Sequence, residues 1–175
     1  MKLISFLIIT FLGAPLFQTG FYSIQLVNLN GVTVTLSAFQ NKKIIIAPFS
    51  AGAPETAQLQ FLDSLQNANP AIKIIAVAAN DFAGPGNIEA LKNLRRSLSL
   101  SLLMTSPMEV KKSSGLNQHP LFKWLTDVNR NTHFNSDAEA GGQLFMISPG
   151  GNLYSVLGAG VPVTVVNEVV QQVVN

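Results

Sequence analysis

Residues 43–49 read KIIIAPF and residues 72–79 read IKIIAVAA. Both runs are short and almost continuously apolar, which is typical of strands that are buried on both faces of a sheet. A helical pattern of apolar residues follows each run, at 54–69 and at 88–97. Buried strands that alternate with helices predict an α/β fold in which helices cover both faces of a central sheet.

The segments on either side of these runs extend the same pattern. Before them, two alternating runs meet at Asn30-Gly31, which predicts an N-terminal β-hairpin. After them, the pattern predicts a third strand at 99–104, a short helix at 120–128, a hairpin of 143–148 with 153–157, and a last helix at 162–174. The predicted core comes from Ile44–Ile46, Ile72–Val77 and Phe145–Ile147.

The N-terminal segment has the pattern of a targeting signal. Met1-Lys2 precedes residues 3–17, LISFLIITFLGAPLF, a run shorter than the roughly 20 apolar residues that span a bilayer. We therefore expect residues 1–20 to be a signal peptide, and the domain to occupy residues 21–175 of an exported periplasmic or extracellular protein. The alternatives are a membrane anchor formed by residues 3–17 and a buried N-terminal strand or helix.

Composition excludes several function classes. The 175 residues include no cysteine and two histidines, His119 and His133. A thiolate nucleophile, an iron–sulfur cluster and a cysteine zinc site are therefore impossible. Charged residues make up 11%, with 11 basic and 9 acidic side chains, which argues against nucleic-acid binding. Neither histidine has a clear carboxylate partner in the sequence, so we predict no metal and no cofactor.

In order along the chain, five segments carry a family resemblance. FYSIQLVNLNGVTVTLSAFQNKK opens the mature chain, KIIIAPFSAGAPET and IIAVAANDFAGPGN follow, HPLFKWL spans 119–125, and LFMISPGGNLYSVLGAG lies near the end. Together these resemble the glutathione peroxidase family over nearly all of 21–175. The resemblance implies a thioredoxin-like fold, with a mixed β-sheet flanked by helices and an N-terminal hairpin. The activity that the resemblance implies at the level of the family is peroxide reduction, which serves in the response to oxidative stress.

The family's catalytic positions are replaced in this chain. The resemblance places the peroxidatic cysteine or selenocysteine on Ala53, the glutamine of the second motif on Asp81, and the late tryptophan and asparagine on Ala140 and Gly141. The resolving cysteine of some members is absent as well. Attack on an O–O bond by this mechanism needs a thiolate or selenolate, which a methyl group cannot replace. The chain is therefore predicted to have no catalytic residues of the family type.

Polar side chains remain at the two loops that follow the buried strands. Ser50, Glu55, Asn80 and Asp81 form the candidate pocket, because ligand sites gather at the carboxyl ends of parallel strands. The two carboxylates could form an acid–base pair or a small cation site. Alternatively, Glu55 is a charge at a helix N-terminus and Asp81 caps a loop. The resemblance also implies that His119 is a structural cap or a surface residue.

Three functions follow as hypotheses. The first is a non-catalytic, exported member of the family that binds an unknown protein or small-molecule ligand, with no nucleic acid and no metal as partner. The second is an enzyme of different chemistry that uses Glu55 and Asp81. The third is a structural protein of the cell envelope, tethered to the membrane if the N-terminal segment is retained.

Overall fold

The computed structural model describes residues 20–139 and 141–174. The signal peptide predicted for residues 1–20 and the family position Ala140 therefore fall outside the described residues, except for Gly20. Within the described ranges, no helix has the length and apolarity to cross a membrane. The strands are β1 (Gln25–Val27), β2 (Thr33–Thr35), β3 (Lys43–Ser50), β4 (Ile72–Ala79), β5 (Leu103–Met104), β6 (Leu144–Ile147) and β7 (Leu153–Leu157), and the helices are α1 (Thr56–Ala68), α2 (Ile88–Ser97), α3 (Pro120–Leu125), α4 (Val128–Asn131) and α5 (Val163–Gln171).

Five strands form a mixed sheet in the order β5-β4-β3-β6-β7. β3 pairs in parallel with β4 and antiparallel with β6, so the two predicted buried strands are the central neighbours of the sheet. β1 and β2 pair antiparallel as a separate hairpin, in which Gly31 takes the positive φ that the predicted turn requires. These features confirm the predicted α/β class, the mixed sheet and the N-terminal hairpin.

Alternate residues of β3 lie in two separate apolar clusters. Ile45, Ala47 and Phe49 pack on one face of the sheet with the apolar stripes of α1 and α5, and Ile44 and Ile46 pack on the other. The second face is covered by α3 and the N-terminal segment, including Phe122, Trp124 and Phe21. Burial on both faces explains why the strand sequence is continuously apolar, and it confirms the predicted core segments.

Three predicted boundaries are wrong. The helix expected at 120–128 is broken, because Thr126 donates its hydroxyl back to the carbonyl of Phe122 and Asp127 caps a new turn through the Asn129 amide. The strand expected at 99–104 pairs only at Leu103–Met104, although Leu100 and Leu102 are buried beside it. The helix expected at 162–174 is shorter, ending at Gln171.

Candidate functional site

The loop between β3 and α1 lies at the carboxyl end of the central strands. β3 ends at Ser50, opposite Ala79 of β4, and the Ala51 amide donates to the Ala79 carbonyl at 3.0 Å. The chain then turns through Gly52 and Ala53 before α1 begins at Thr56. Ala53 is exposed, so the position that the resemblance assigns to the reactive sulfur or selenium carries a methyl group facing solvent.

Ser50 and Glu55 are joined by two hydrogen bonds across this loop. The Ser50 hydroxyl donates to Glu55 Oε1 at 2.7 Å, and the Ser50 amide donates to Glu55 Oε2 at 2.9 Å. Ser50 is only 5% exposed, so both donors would lack a partner without this carboxylate. Glu55 directly precedes α1, where a negative charge also suits the positive end of the helix dipole.

Asn80 holds the neighbouring loop in shape. Its Oδ1 accepts the Gly86 amide and its Nδ2 donates to Glu109 Oε1, both at 3.1 Å. The first bond closes the 80–86 loop, and the second ties that loop to the segment before α3. Both ends of the Asn80 amide are thus engaged within the fold.

Asp81 binds a distant segment of the chain. Its carboxylate accepts the amides of Val110 and Lys111 and the hydroxyl of Ser114, the last two at 3.0 and 2.6 Å. Burial acts to raise the pKa of Asp81, but the hydrogen bonds from Ser114, Lys111 and Val110, with a further contribution from Glu109, outweigh it and lower the pKa. The side chain is therefore held ionised as a cap on residues 110–114.

The four candidate residues form two separate hydrogen-bonded units on adjacent strand ends. No hydrogen bond among the described residues joins Glu55 to Asp81, and each carboxylate is engaged with donors of the fold. Nor do the ranges 20–139 and 141–174 contain a cluster of three or more metal-ligating side chains. This geometry favours the capping interpretation over an acid–base pair or a cation site.

The loop after β3 and the loop after β4 pack against each other so closely that their backbones are in contact. A Cβ on Gly52 would lie 2.4 Å from the Ala83 carbonyl oxygen, and one on Gly86 would lie 2.6 Å from the Ala51 Cβ. Both glycines are therefore required by close packing. Beside them opens a cleft of about 320 Å³, lined by residues of both loops and of α2: Ala51, Gly52, Pro54, Thr56, Pro85, Asn87, Ala90, Leu91 and Leu94.

A second cleft, of about 180 Å³, opens at the first turn of α1 and includes a residue that the sequence analysis did not single out. Gln58 lines it together with Gly141, one of the replaced family positions, and with apolar residues of α1, β6, β7 and α5. Both polar atoms of the Gln58 side chain are shielded from solvent and have no hydrogen-bond partner. A signal for Gln58 existed in the sequence, because it precedes the core residue Leu62 by one helical turn.

A larger cleft lies elsewhere, along α2 and the Asn30 turn, with a volume of about 660 Å³. Its cations already have partners: Lys92 pairs with Glu89 at 2.7 Å, and Arg96 donates to Asn93 at 2.6 Å. Arg95 donates its Nε to the Leu100 carbonyl at 3.3 Å. We therefore place the candidate site at the loops that follow β3 and β4, which carry the replaced positions Ala53 and Asp81, whereas Gly141 lies at the second cleft.

The two histidines are structural or exposed. His119 accepts the Leu121 amide on its Nδ1 at 3.2 Å and so caps α3, which confirms its expected role. Burial, together with the nearby Lys123 charge, lowers the pKa of His119. His133 is exposed in the segment after α4.

Solved structures of low sequence identity share this architecture. T. cruzi GPX1 matches with a TM-score of 0.66 and 16% identity over 86% of this chain and 94% of its own. A thiol:disulfide interchange protein from Chlorobium tepidum matches with a TM-score of 0.61 and 14% identity, over 85% and 91%. The bacterioferritin comigratory protein of Xanthomonas campestris, described for alkyl peroxide reduction, matches with a TM-score of 0.52 and 16% identity, over 85% and 88%.

These likenesses show the fold, which is thioredoxin-like as predicted. No protein-family model matches the chain, and no curated protein matches it. The function therefore has to be argued from the site itself.

Proposed function

We propose that this chain is an exported protein of the glutathione peroxidase type that has lost thiol peroxidase chemistry and acts as a binding module. The observation that carries the proposal is Ala53, a methyl-bearing residue at the exposed turn between β3 and α1, in a chain with no cysteine. Peroxide reduction by this family's route needs a sulfur or selenium nucleophile at that turn. The thioredoxin-like neighbours, which include a peroxide-reducing protein, support the relation.

The polar residues around the turn support the same proposal. Glu55 and Asp81, which a different chemistry would use as acid and base, each accept hydrogen bonds from buried or partly buried donors of the fold. A general base must be free to reach a proton of the substrate. With both carboxylates engaged in loop contacts, the clefts beside the turn are better suited to hold a ligand than to transform one.

The direct test is peroxide consumption by the purified chain with glutathione or thioredoxin as reductant. We expect the rate to equal that of a heat-treated control, and thiol-dependent turnover above that control would overturn the proposal.

A variant series tests the proposed position of the lost nucleophile. Ala53→Cys supplies the missing thiol, and Ala68→Cys places a matched exposed thiol at the other end of α1. We expect both variants to fold, since surface substitutions generally change stability by less than about 0.5 kcal/mol. Ala53→Cys should show at most weak peroxidase activity, above that of Ala68→Cys, because the polar groups that activate the thiolate are missing. Equal activity in the two variants would contradict the assignment of Ala53.

A further inference from the structure

The cleft of about 660 Å³ between α2 and the Asn30 turn concentrates positive charge. Its wall contains one carboxylate, Glu89, and three cations, Lys92, Arg95 and Arg96. The wall therefore carries an excess of two positive charges, which equals the excess of the whole 175-residue chain. Because cations that lie together repel one another, a surface of this kind favours an anionic partner.

The hydrogen bonds of the two arginines leave their charges uncompensated. Arg95 donates to a backbone carbonyl and Arg96 donates to the carboxamide of Asn93, and both acceptors are neutral. The carboxylate of Glu89 forms its ion pair with Lys92. Among the described residues, no carboxylate forms a salt bridge with either arginine. Both guanidinium groups therefore keep N–H donors for a carboxylate, which an arginine can bind through two parallel hydrogen bonds.

The positive region extends beyond the cleft to two lysines of other elements. Lys73 lies on β4, and Lys42 directly precedes β3. Burial, followed by the charges of Lys42 and Arg95, lowers the pKa of Lys73, so both of these cations lie close enough to repel it. Cations in the last turn of α2 also suit the helix dipole, but that interaction does not account for Lys42 and Lys73. The positive surface is therefore built by the fold from several elements.

The polar character of the wall restricts the class of the anionic partner. Asn30 and Ser99 are exposed, and their side chains form no hydrogen bond with the described residues. The wall contributes one apolar residue, Leu100, which is itself buried, so it offers little to the chains of a lipid. Nor do the described residues of the wall include the aromatic rings on which single-stranded nucleic acids stack. A peptide has carboxylates for the arginines and backbone groups for Asn30 and Ser99.

We propose that this cleft binds an acidic segment of a partner protein, with carboxylates of the segment paired to Arg95 and Arg96. The cleft shares no lining residue with the cleft beside the loops after β3 and β4. The inference therefore goes beyond the function proposed above and does not depend on the loss of peroxidase chemistry. Exposed charges of this kind set specificity and association rate more than affinity, so we expect weak binding that is sensitive to salt.

The test uses a fluorescein-labelled hexaglutamate peptide as probe and a hexaglutamine peptide as its uncharged match. We expect fluorescence anisotropy to show binding of hexaglutamate alone, with an affinity that falls several-fold between about 50 mM and about 200 mM salt. Arg96→Glu should weaken binding at least about fivefold, because it replaces an attraction with a repulsion. Arg130→Glu makes the same change of net charge at another exposed arginine and should bind within about twofold of the wild-type chain.

NMR of the wild-type chain locates the bound peptide independently of any variant. Hexaglutamate should shift the backbone amide signals of Asn30 and Ser99 and leave that of Arg130 in place. Vesicles of phosphatidylcholine and phosphatidylglycerol, and a thymidine oligonucleotide, should bind more weakly than the peptide.

Four results would each overturn the inference: no binding of hexaglutamate, equal binding by Arg96→Glu and Arg130→Glu, amide shifts that leave out Asn30 and Ser99, or binding of vesicles or oligonucleotide at least as tight as that of the peptide. All four leave the peroxide assay, and hence the proposed function, unaffected.

Discussion

At the residue scale, Asp81 links the loop after β4 to the segment before α3. Its carboxylate accepts two backbone amides, from Val110 and Lys111, and the Ser114 hydroxyl, all 29 to 33 positions later in the chain. We expect Asp81→Ala to lower the free energy of unfolding by about 2 kcal/mol, because three donors lose their acceptor together. Asp81→Asn keeps one acceptor oxygen and should cost less. Urea unfolding at pH 7 measures both changes.

The same carboxylate predicts sensitivity to acid. Since hydrogen bonding lowers the pKa of Asp81 in the folded state, its contribution to stability is present above the ordinary carboxyl pKa of about 4. It is lost as the pH falls through the lower pKa of the folded state. Unfolding curves between pH 5 and pH 2 should therefore fall less steeply for Asp81→Asn than for the wild-type chain. Glu168→Ala, a change at an exposed carboxylate of α5, should leave the wild-type slope intact.

The sequence indicated that Asp81 could cap a loop, but it did not indicate which groups Asp81 would bind. A carboxylate in a glycine-rich loop favours capping, and that alternative agrees with the structure. Nothing in the local sequence indicates that Val110, Lys111 and Ser114 supply the donors, because the pairing depends on how β4 and the segment before α3 lie beside each other in the sheet. For Gln58 the sequence offered a local signal, its position one helical turn before the core residue Leu62, but the β6, β7 and α5 residues that line the cleft with it lie far along the chain.

At the scale of the elements, His119 caps the start of α3, and its titration makes the stability of this helix depend on pH. His119 accepts the Leu121 amide through Nδ1, and Pro120 occupies the first turn, where its missing N–H is not needed. Burial, followed by the Lys123 charge, lowers the pKa of His119 in the folded state. Protonation would remove the acceptor and place a charge against the core, so the folded state favours the neutral ring.

The pH dependence of α3 follows from the sign of that shift. The unfolded chain takes up a proton on His119 near pH 6.5, whereas the folded chain does so only at lower pH. The stability that His119 contributes is therefore fully present above pH 6.5 and is lost as the pH falls below it. We expect His119→Asn, which retains a capping acceptor, to flatten the fall of urea midpoints between pH 7 and pH 5. His133→Asn, at an exposed ring, should keep the wild-type slope, and equal slopes in both variants would contradict this assignment.

The break after α3 marks the limit of helix prediction from periodicity. The apolar spacing of 120–128 continues through the break, so the sequence favours one helix. Instead, the side chains of Thr126 and Asp127 bind the backbone. The Thr126 hydroxyl donates to the Phe122 carbonyl, and the Asp127 carboxylate accepts the Asn129 amide. Side chains of this kind compete with helical hydrogen bonds. Here the helix ends, because the Asn131 side chain also donates to the carbonyls of Trp124 and Leu125.

For the whole molecule, burial decided which parts of the fold could be predicted. β3 and β4 are covered on both faces, so their sequences are almost continuously apolar and easy to recognise. The short edge strand β5 has only two paired residues and leaves little pattern. The strand order β5-β4-β3-β6-β7 was not predicted, because periodicity gives no information on which strands are neighbours.

Packing also shows which N-terminal residues the folded domain uses. Phe21 is 3% exposed and its ring lies 5.1 Å from that of Trp124, while the Tyr22 hydroxyl donates to the Pro149 carbonyl at 2.7 Å. Gly151 must be a glycine partly for this contact, because a Cβ there would lie 2.8 Å from the Tyr22 ring. The folded domain therefore needs the chain from Phe21 onward.

A comparison of two shortened chains tests this boundary. A chain that begins at Gly20 keeps the Gly20 carbonyl, which accepts both the amide and the hydroxyl of Ser23, and it serves as the reference. A chain that begins at Ile24 loses the Phe21 and Tyr22 contacts and should be less stable by about 3 kcal/mol or more, the cost of removing a buried aromatic side chain. Because a signal peptidase cut beyond Phe21 would destabilise the domain, the intact mass of the exported protein should correspond to a start at or before Phe21. A mature start at Ile24 or later, with unchanged stability, would contradict both the packing argument and the proposed boundary.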